Sequence, residues 1–154
     1  MDRGVHLRQD VEPSMRRIFG VIALLGLGFA IVTLHALEGR EVVVLRTAEP
    51  DGGERTTRTW IADDAGAAWV EAATPERPFL RDLERDPTVR LERNGRPLRC
   101  ATTVAPNPDG HRRIRDLLAA KYGWADRWIA MVADTERSLA VRLDCSPDPD
   151  GRAG

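Results

Sequence analysis

The sequence predicts a small α+β protein, mainly β with helices: an antiparallel barrel with helices at its ends, preceded by one long apolar helix. Three observations lead there. Beyond residue 40, short stretches with apolar residues at alternate positions recur in the order βββαββααβ, and the links within the first three and between the next two are too short for crossovers, so those neighbours run antiparallel. Six such strands cannot bury both faces of a flat sheet and would close on themselves. Ahead of them, Ile18–Leu37 reads IFGVIALLGLGFAIVTLHAL without a charge, and a helix of that length rises about 30 Å, the thickness of a bilayer's hydrocarbon core.

Arg16 and Arg17 stop the apolar run on one side, and Glu38, Arg40 and Glu41 on the other. A core helix would show a polar face, and only Thr33 and His35 interrupt this one. A cleaved signal peptide is the other alternative. The run is longer than a usual signal core, and Leu34 stands where cleavage after Ala36 wants a small residue, which favours an uncleaved single-pass anchor over residues 16–37. Membrane lipid around Ile18–Leu37 is then the first partner. Arg3, Arg8, Arg16 and Arg17 precede the span, against Arg40 and Arg46 after it; the positive-inside rule leans toward a cytoplasmic N-terminus and an extracytoplasmic domain. Residues 1–15 read as a disordered tail, 38–145 as the barrel domain and 146–154 as a second tail.

The barrel elements follow in order. Glu41–Thr47 (EVVVLRT) is β-branched and unbroken, a strand. Pro50, Asp51, Gly52 and Gly53 supply a turn. Arg55–Asp63 is the second strand, Asp63–Gly66 a tight turn, and Ala67–Ala72 the third strand. Thr74-Pro75-Glu76 reads as a helix start, with Thr74 as cap; Phe79, Leu80 and Leu83 recur at helical spacing, and Asp86-Pro87 ends the helix. Thr88–Arg93 alternates, Asn94-Gly95 is the type I′ hairpin signal, and Arg96–Val104 returns. A helix from about Pro108 or Asp109 to Tyr122 buries Ile114, Leu117 and Leu118 and stops at Gly123. Trp124–Val132 is a further helix, and Ser138–Asp144 the last strand, with Cys145 continuing its inward face.

Net charge is −1, so no global field favours nucleic acid. Cys100 and Cys145 are too few for a metal site and form no C-x-x-C; they read as two buried thiols, or as one disulfide if the domain lies outside the cytoplasm. His6, His35 and His111 are scattered and form no ligand set. No nucleophile elbow, zinc-protease or phosphate-loop motif is present. No catalytic side chain stands out, so an enzyme of this sequence would rely on a bound cofactor. Trp60 and Trp69 sit mid-strand and read as core. Tyr122, Trp124 and Trp128 share helical spacing; they would wall a cofactor ring, pack on the barrel end, or, for Trp124 and Trp128, touch the bilayer interface.

Several segments together resemble the deazaflavin-dependent nitroreductase and quinone reductase family: Arg55-Thr56-Thr57-Arg58-Thr59-Trp60 with Asp63–Ala72; Phe79–Val89, similar to that family's aromatic-x-x-x-L-x-x-N/D-P-x-V segment; Lys121-Tyr122-Gly123-Trp124 through Trp128; and the closing Val141-Arg142-Leu143. The resemblance implies a split β-barrel of the flavin-reductase and pyridoxamine-phosphate-oxidase type, binding coenzyme F-420 or FMN and passing hydride to a quinone, nitro compound or other hydrophobic acceptor, often as a homodimer. It implies Gly52, Arg55, Thr57 and Arg58 around the cofactor's anionic part and Tyr122 and Trp124 beside its ring. The family's first turn reads approximately G-R-K-S-G-x-x-R; this chain has Ala48-Glu49-Pro50-Asp51-Gly52-Gly53-Glu54-Arg55, keeping Gly52 and Arg55 and replacing Arg-Lys-Ser by Glu, Pro and Asp. Added carboxylates repel a phosphate. The alternative is therefore a membrane-tethered module that kept the barrel for binding or dimerisation and lost the cofactor.

Overall fold

The computed structural model describes residues 12–38, 40–149 and 151. Of the tails expected at the two ends, residues 1–11, 150 and 152–154 lie outside the described residues. The chain divides into two units, residues 1–35 and 36–154.

The first unit is carried by α1 (Glu12–Glu38), which takes in Glu12–Ser14, expected in the tail. Its stretch Arg17–Ala36 has a mean hydropathy of 2.3 and is long and apolar enough to cross a bilayer. Phe19, Leu24, Leu25 and Leu27 are all exposed. The one hydroxyl, on Thr33, donates back to the Phe29 carbonyl at 2.9 Å, so it is satisfied within the helix.

The second unit is a six-strand closed antiparallel barrel in the order β1-β2-β3-β6-β5-β4. The strands are β1 (Val42–Ala48), β2 (Glu54–Asp64), β3 (Ala67–Ala72), β4 (Thr88–Arg93), β5 (Arg96–Ala105) and β6 (Leu139–Pro147); the helices are α2 (Pro78–Arg85), α3 (Asp109–Tyr122) and α4 (Trp124–Val132). The expected meander β1–β3 and the β4–β5 hairpin are both present. The hairpin turns on Asn94 (φ 52°) and Gly95 (φ 71°), the two left-handed residues of a type I′ turn. Strand alternation sorts the side chains into two cores. Val43, Leu45, Ile61, Val70, Val89, Leu91, Val141 and Leu143 fill the barrel. Ala62, Trp69 and Ala140 face outward and are covered by Ile114, Leu118 and Tyr122 of α3. Helix α2 closes a barrel end, its Phe79, Leu80 and Leu83 joining the interior core; α3 lies along the wall instead of plugging an end.

Three local expectations are corrected. Helix α2 starts at Pro78, not at Thr74-Pro75; a residue before proline avoids the helical region, and Arg77 at ψ 127° is the extended cap. Strand β6 runs on to Pro147, with Ser146 opposite Arg99 and Pro147 opposite Leu98, so this part of the presumed tail is sheet. Cys100 and Cys145 face each other across β5 and β6 and form a disulfide instead of two buried thiols; Cys100 is buried in the core, and Cys145 opposite it continues the inward face of Val141 and Leu143, although it is exposed.

The start of α3 runs so close to the end of β5 that a Cβ on Gly110 would stand 2.0 Å from the Ala105 carbonyl oxygen. Gly110→Ala is therefore expected to destabilise the domain by about 2 kcal/mol through overpacking. Helix propensity alone predicts a gain of about 1 kcal/mol, so the sign of the shift in urea midpoint, at constant slope, decides between crowding and propensity.

Candidate functional site

The β1–β2 turn is where the sequence placed an anion cradle. Gly52 sits there at φ 87°, exposed, and Glu49 closes the turn by donating its amide to the Gly53 carbonyl at 2.8 Å. Arg55 points toward the closed end of the barrel. Its Nε donates to Asp82 Oδ2 at 2.8 Å, and its terminal nitrogen pairs with Glu49. Asp82, 3% exposed on α2, also accepts from the Thr47 hydroxyl and from Arg85, both at 2.8 Å. Burial pushes the Asp82 carboxyl up, but Arg55, Thr47 and Arg85 together outweigh it and hold it below the usual carboxylate range. The Arg55 guanidinium is thus committed to two carboxylates, with Asp51 and Glu54 beside it in the turn. These residues do not fit a phosphate, which would have to displace Glu49 and face the remaining acids.

The opposite face of β2 offers a different site. Residues alternate along a strand, so Arg55 and Thr57 share one side while Arg58 and Trp60 share the other. Arg58, Trp60, Glu71, Arg77, Leu118 and Ile129 line a cleft of about 380 Å³, within the size range of small-molecule sites. Trp60 is half-buried and stands against the Tyr122 ring, with centroids 4.7 Å apart at 35°. Arg58 and Arg77 are exposed, and neither makes an ion pair among the described residues. Glu71 does: Arg115 reaches it at 3.1 Å and reaches the buried Asp126 of α4 at 2.5 Å, which ties β3, α3 and α4 together behind the cleft. The cleft therefore combines an apolar floor, an aromatic wall and a surplus of positive charge.

Tyr122 stands behind this wall and does not line it. Its hydroxyl lies 2.7 Å from the Ile61 carbonyl and 2.9 Å from the Glu41 carbonyl, and accepts from the Ile61 amide at 3.3 Å. Burial is the main reason that its pKa is pushed up to about 12, so it is a fixed neutral hydrogen-bonding group. Trp124 opens α4 and is 42% exposed, with the Arg40 guanidinium 5.3 Å above its ring. Of the six residues singled out in sequence, Arg58 alone lines the cleft. Tyr122 supports it from behind, Gly52, Arg55 and Thr57 lie away from it, and Trp124 sits on the surface of α4. Sequence reasoning took Trp60 as core and passed over Arg77; the alternation Arg58-x-Trp60 was the available signal for the first. No group of residues able to hold a metal ion occurs among the described residues.

No protein-family model matches the chain, and no curated protein matches it in sequence. Solved structures do share its fold. A conserved hypothetical protein of Mycobacterium tuberculosis superposes with a TM-score of 0.52 at 18% identity, over 75% of this chain and 78% of that one. An F-420-H2-dependent reductase superposes at 0.51 and 15% identity, over 68% and 95%. A candidate pyridoxamine 5′-phosphate oxidase from Listeria innocua superposes at 0.50 and 15% identity, over 73% and 90%. At these identities the likeness is one of fold: the second unit is a split barrel of the pyridoxamine-phosphate-oxidase type.

Proposed function

We propose that this protein is a membrane-tethered split-barrel domain that binds an anionic, ring-bearing ligand of the flavin or deazaflavin class in the cleft between Arg58 and Arg77, and acts as an oxidoreductase on a hydrophobic acceptor such as a quinone. The observation that carries this reading is the pair of guanidiniums without carboxylate partners among the described residues, above an apolar floor. Arg58 and Arg77 hold the anionic part, Trp60 offers a flat face to a ring, and Leu118 and Ile129 keep water from it. A reduced cofactor of this class supplies a hydride; the chain's own residues bind, orient and shield it. The α1 helix makes a lipid-soluble acceptor reasonable, because both would share one surface. The disulfide supports a domain on the oxidising side of that membrane, in agreement with the arginine flank.

One observation favours a second reading. Arg55 is neutralised by Glu49 and Asp82, and a chain lacking that cradle suits a binding module that holds an anionic amphiphile and performs no redox step.

The test is thermal denaturation of the full chain in detergent with coenzyme F-420 or FMN added. A ligand at about a hundred times its dissociation constant stabilises by about 2.7 kcal/mol, a clear rise in Tm. The rise is expected with one of the two cofactors, to vanish in Arg58→Ala/Arg77→Ala, and to survive in Arg81→Ala on the exposed side of α2. A rise unaffected by the double substitution places the site elsewhere. No rise with either cofactor removes the oxidoreductase reading and leaves the binding module.

A further inference from the structure

We infer that the open edge of β2 is a docking site for an extended acidic segment of another protein, which adds as a strand beside Thr56–Trp60 and sets its carboxylates on Arg58 and Arg77. The inference goes beyond the cofactor reading and does not rest on it. Strand β2 pairs with β1 along Glu54–Trp60, but β3 joins it only at Ile61–Asp64. Past Val70, β3 continues with β6 alone, through Glu71 and Ala72. The two strands part there, and the cleft opens between them. Arg58, Thr59 and Trp60 all line it. Consecutive residues point to opposite faces of a strand, so a cleft that meets all three runs along the strand's edge and not over one face.

The main chain has groups to offer at this edge. The Ile61 amide and carbonyl both meet the Tyr122 hydroxyl, which also reaches the Glu41 carbonyl just ahead of β1. Odd-numbered residues of β2 therefore turn their main-chain groups toward β1, and Thr56 and Arg58 turn theirs to the open side. The row ERTTRTW holds no proline and no left-handed residue, two devices that blunt an exposed edge, and it is rich in threonine. Charge sets the partner. Arg55 is committed to Glu49 and Asp82, Glu54 to Arg46 and Arg90, and Glu71 to Arg115. Arg58 and Arg77, exposed at the cleft, have no carboxylate among the described residues, so they turn away a basic strand and admit an acidic one. Segment and cofactor both use Arg58, and each excludes the other.

The test uses the full chain in detergent and a short fluorescent peptide of alternating glutamate and valine, with binding followed by anisotropy. One version carries N-methyl groups on the glutamate amides, another on the valine amides. Only one of these sets faces β2 in an added strand, so their affinities are expected to differ by about tenfold or more, the worth of one or two main-chain hydrogen bonds. Equal affinities overturn strand addition in favour of binding by charge alone, and no binding of the unmodified peptide overturns the inference outright. Arg58→Ala/Arg77→Ala should weaken the unmodified peptide by about tenfold or more; undiminished binding places the segment elsewhere and overturns it. Thr56→Pro removes one open amide and no bond to β1, so the Tm should hold while the peptide binds more weakly. A variant that melts and binds as the wild type does overturns the inference. A dimer in sedimentation that Thr56→Pro dissociates puts a second copy on the edge and overturns it as well. Peptide affinity undiminished in saturating cofactor overturns the shared use of Arg58. Peptide binding without any binding of F-420 or FMN removes the cofactor reading and upholds the docking.

Discussion

Replacing both Cys100 and Cys145 by alanine is expected to destabilise the domain by about 4 kcal/mol, close to the loop-closure value for cysteines separated by 45 residues. The closed loop contains α3 and α4 entire, together with the junction of β5 and β6. In the unfolded chain the bridge removes much of the freedom that those helices would otherwise regain. Urea denaturation measures the loss directly. Wild-type protein in reductant should fall onto the curve of the double variant, because both lack the same constraint. A shift in the reduced wild type of well under 1 kcal/mol would mean that the denatured chain keeps β5 and β6 together without the bond.

Asp82→Ala is expected to cost about 3 kcal/mol, near the lower end for breaking a buried ion pair because the Arg55 side chain is 31% exposed. The substitution leaves the Thr47 hydroxyl, itself 2% exposed, without its acceptor, and leaves Arg85 without its carboxylate. A pH effect accompanies it. The folded-state pKa of Asp82 lies below that of the unfolded chain, about 3.9. Its contribution is therefore fully present above that unfolded value and is lost as pH falls through the lower, folded one. Glu41 and Asp63 behave in the same direction, each held down chiefly by its hydrogen bond from Arg93. Thermal melts between pH 7 and pH 2.5 should show a plateau down to about pH 4 and a steep loss below it. Asp82→Ala should flatten part of that loss; an unchanged acid limb would show that Asp82 is not one of the groups responsible.

Much of the barrel was legible because period-two alternation and turn residues act locally. Ala67–Ala72, Thr88–Arg93 and Trp124–Val132 have the bounds that the sequence implies, and α3 begins at Asp109, one of its two expected starts. What the sequence hid is what depends on a third element. Whether a helix caps the barrel or covers its wall depends on which strand face is left bare, and Trp69 with Ala62 made the wall the place for α3. That Cys100 and Cys145 are bonded depended on the register of β5 with β6, which sets them directly opposite each other. Nor was the cleft readable, because Arg58, Arg77 and Ile129 come from three separate segments and meet only after α4 is tied to β3 through Arg115. By contrast, the acidity of the first turn was visible from the start, and the geometry gives it a use: Glu49 holds Arg55 in place.

If α1 tethers the domain as proposed, the closure of the sheet also bears on life at a crowded surface. Proteins confined to two dimensions meet one another far more often than the same number in solution. A barrel in which β1 pairs with β4 has no terminal strand, and among the described residues it leaves only short rows open, such as Glu54–Trp60 of β2, which pairs with β1 alone. Runaway strand-to-strand growth then has few starting points. Self-association through side chains on a wall or a helix can, by contrast, be finite, reversible and specific.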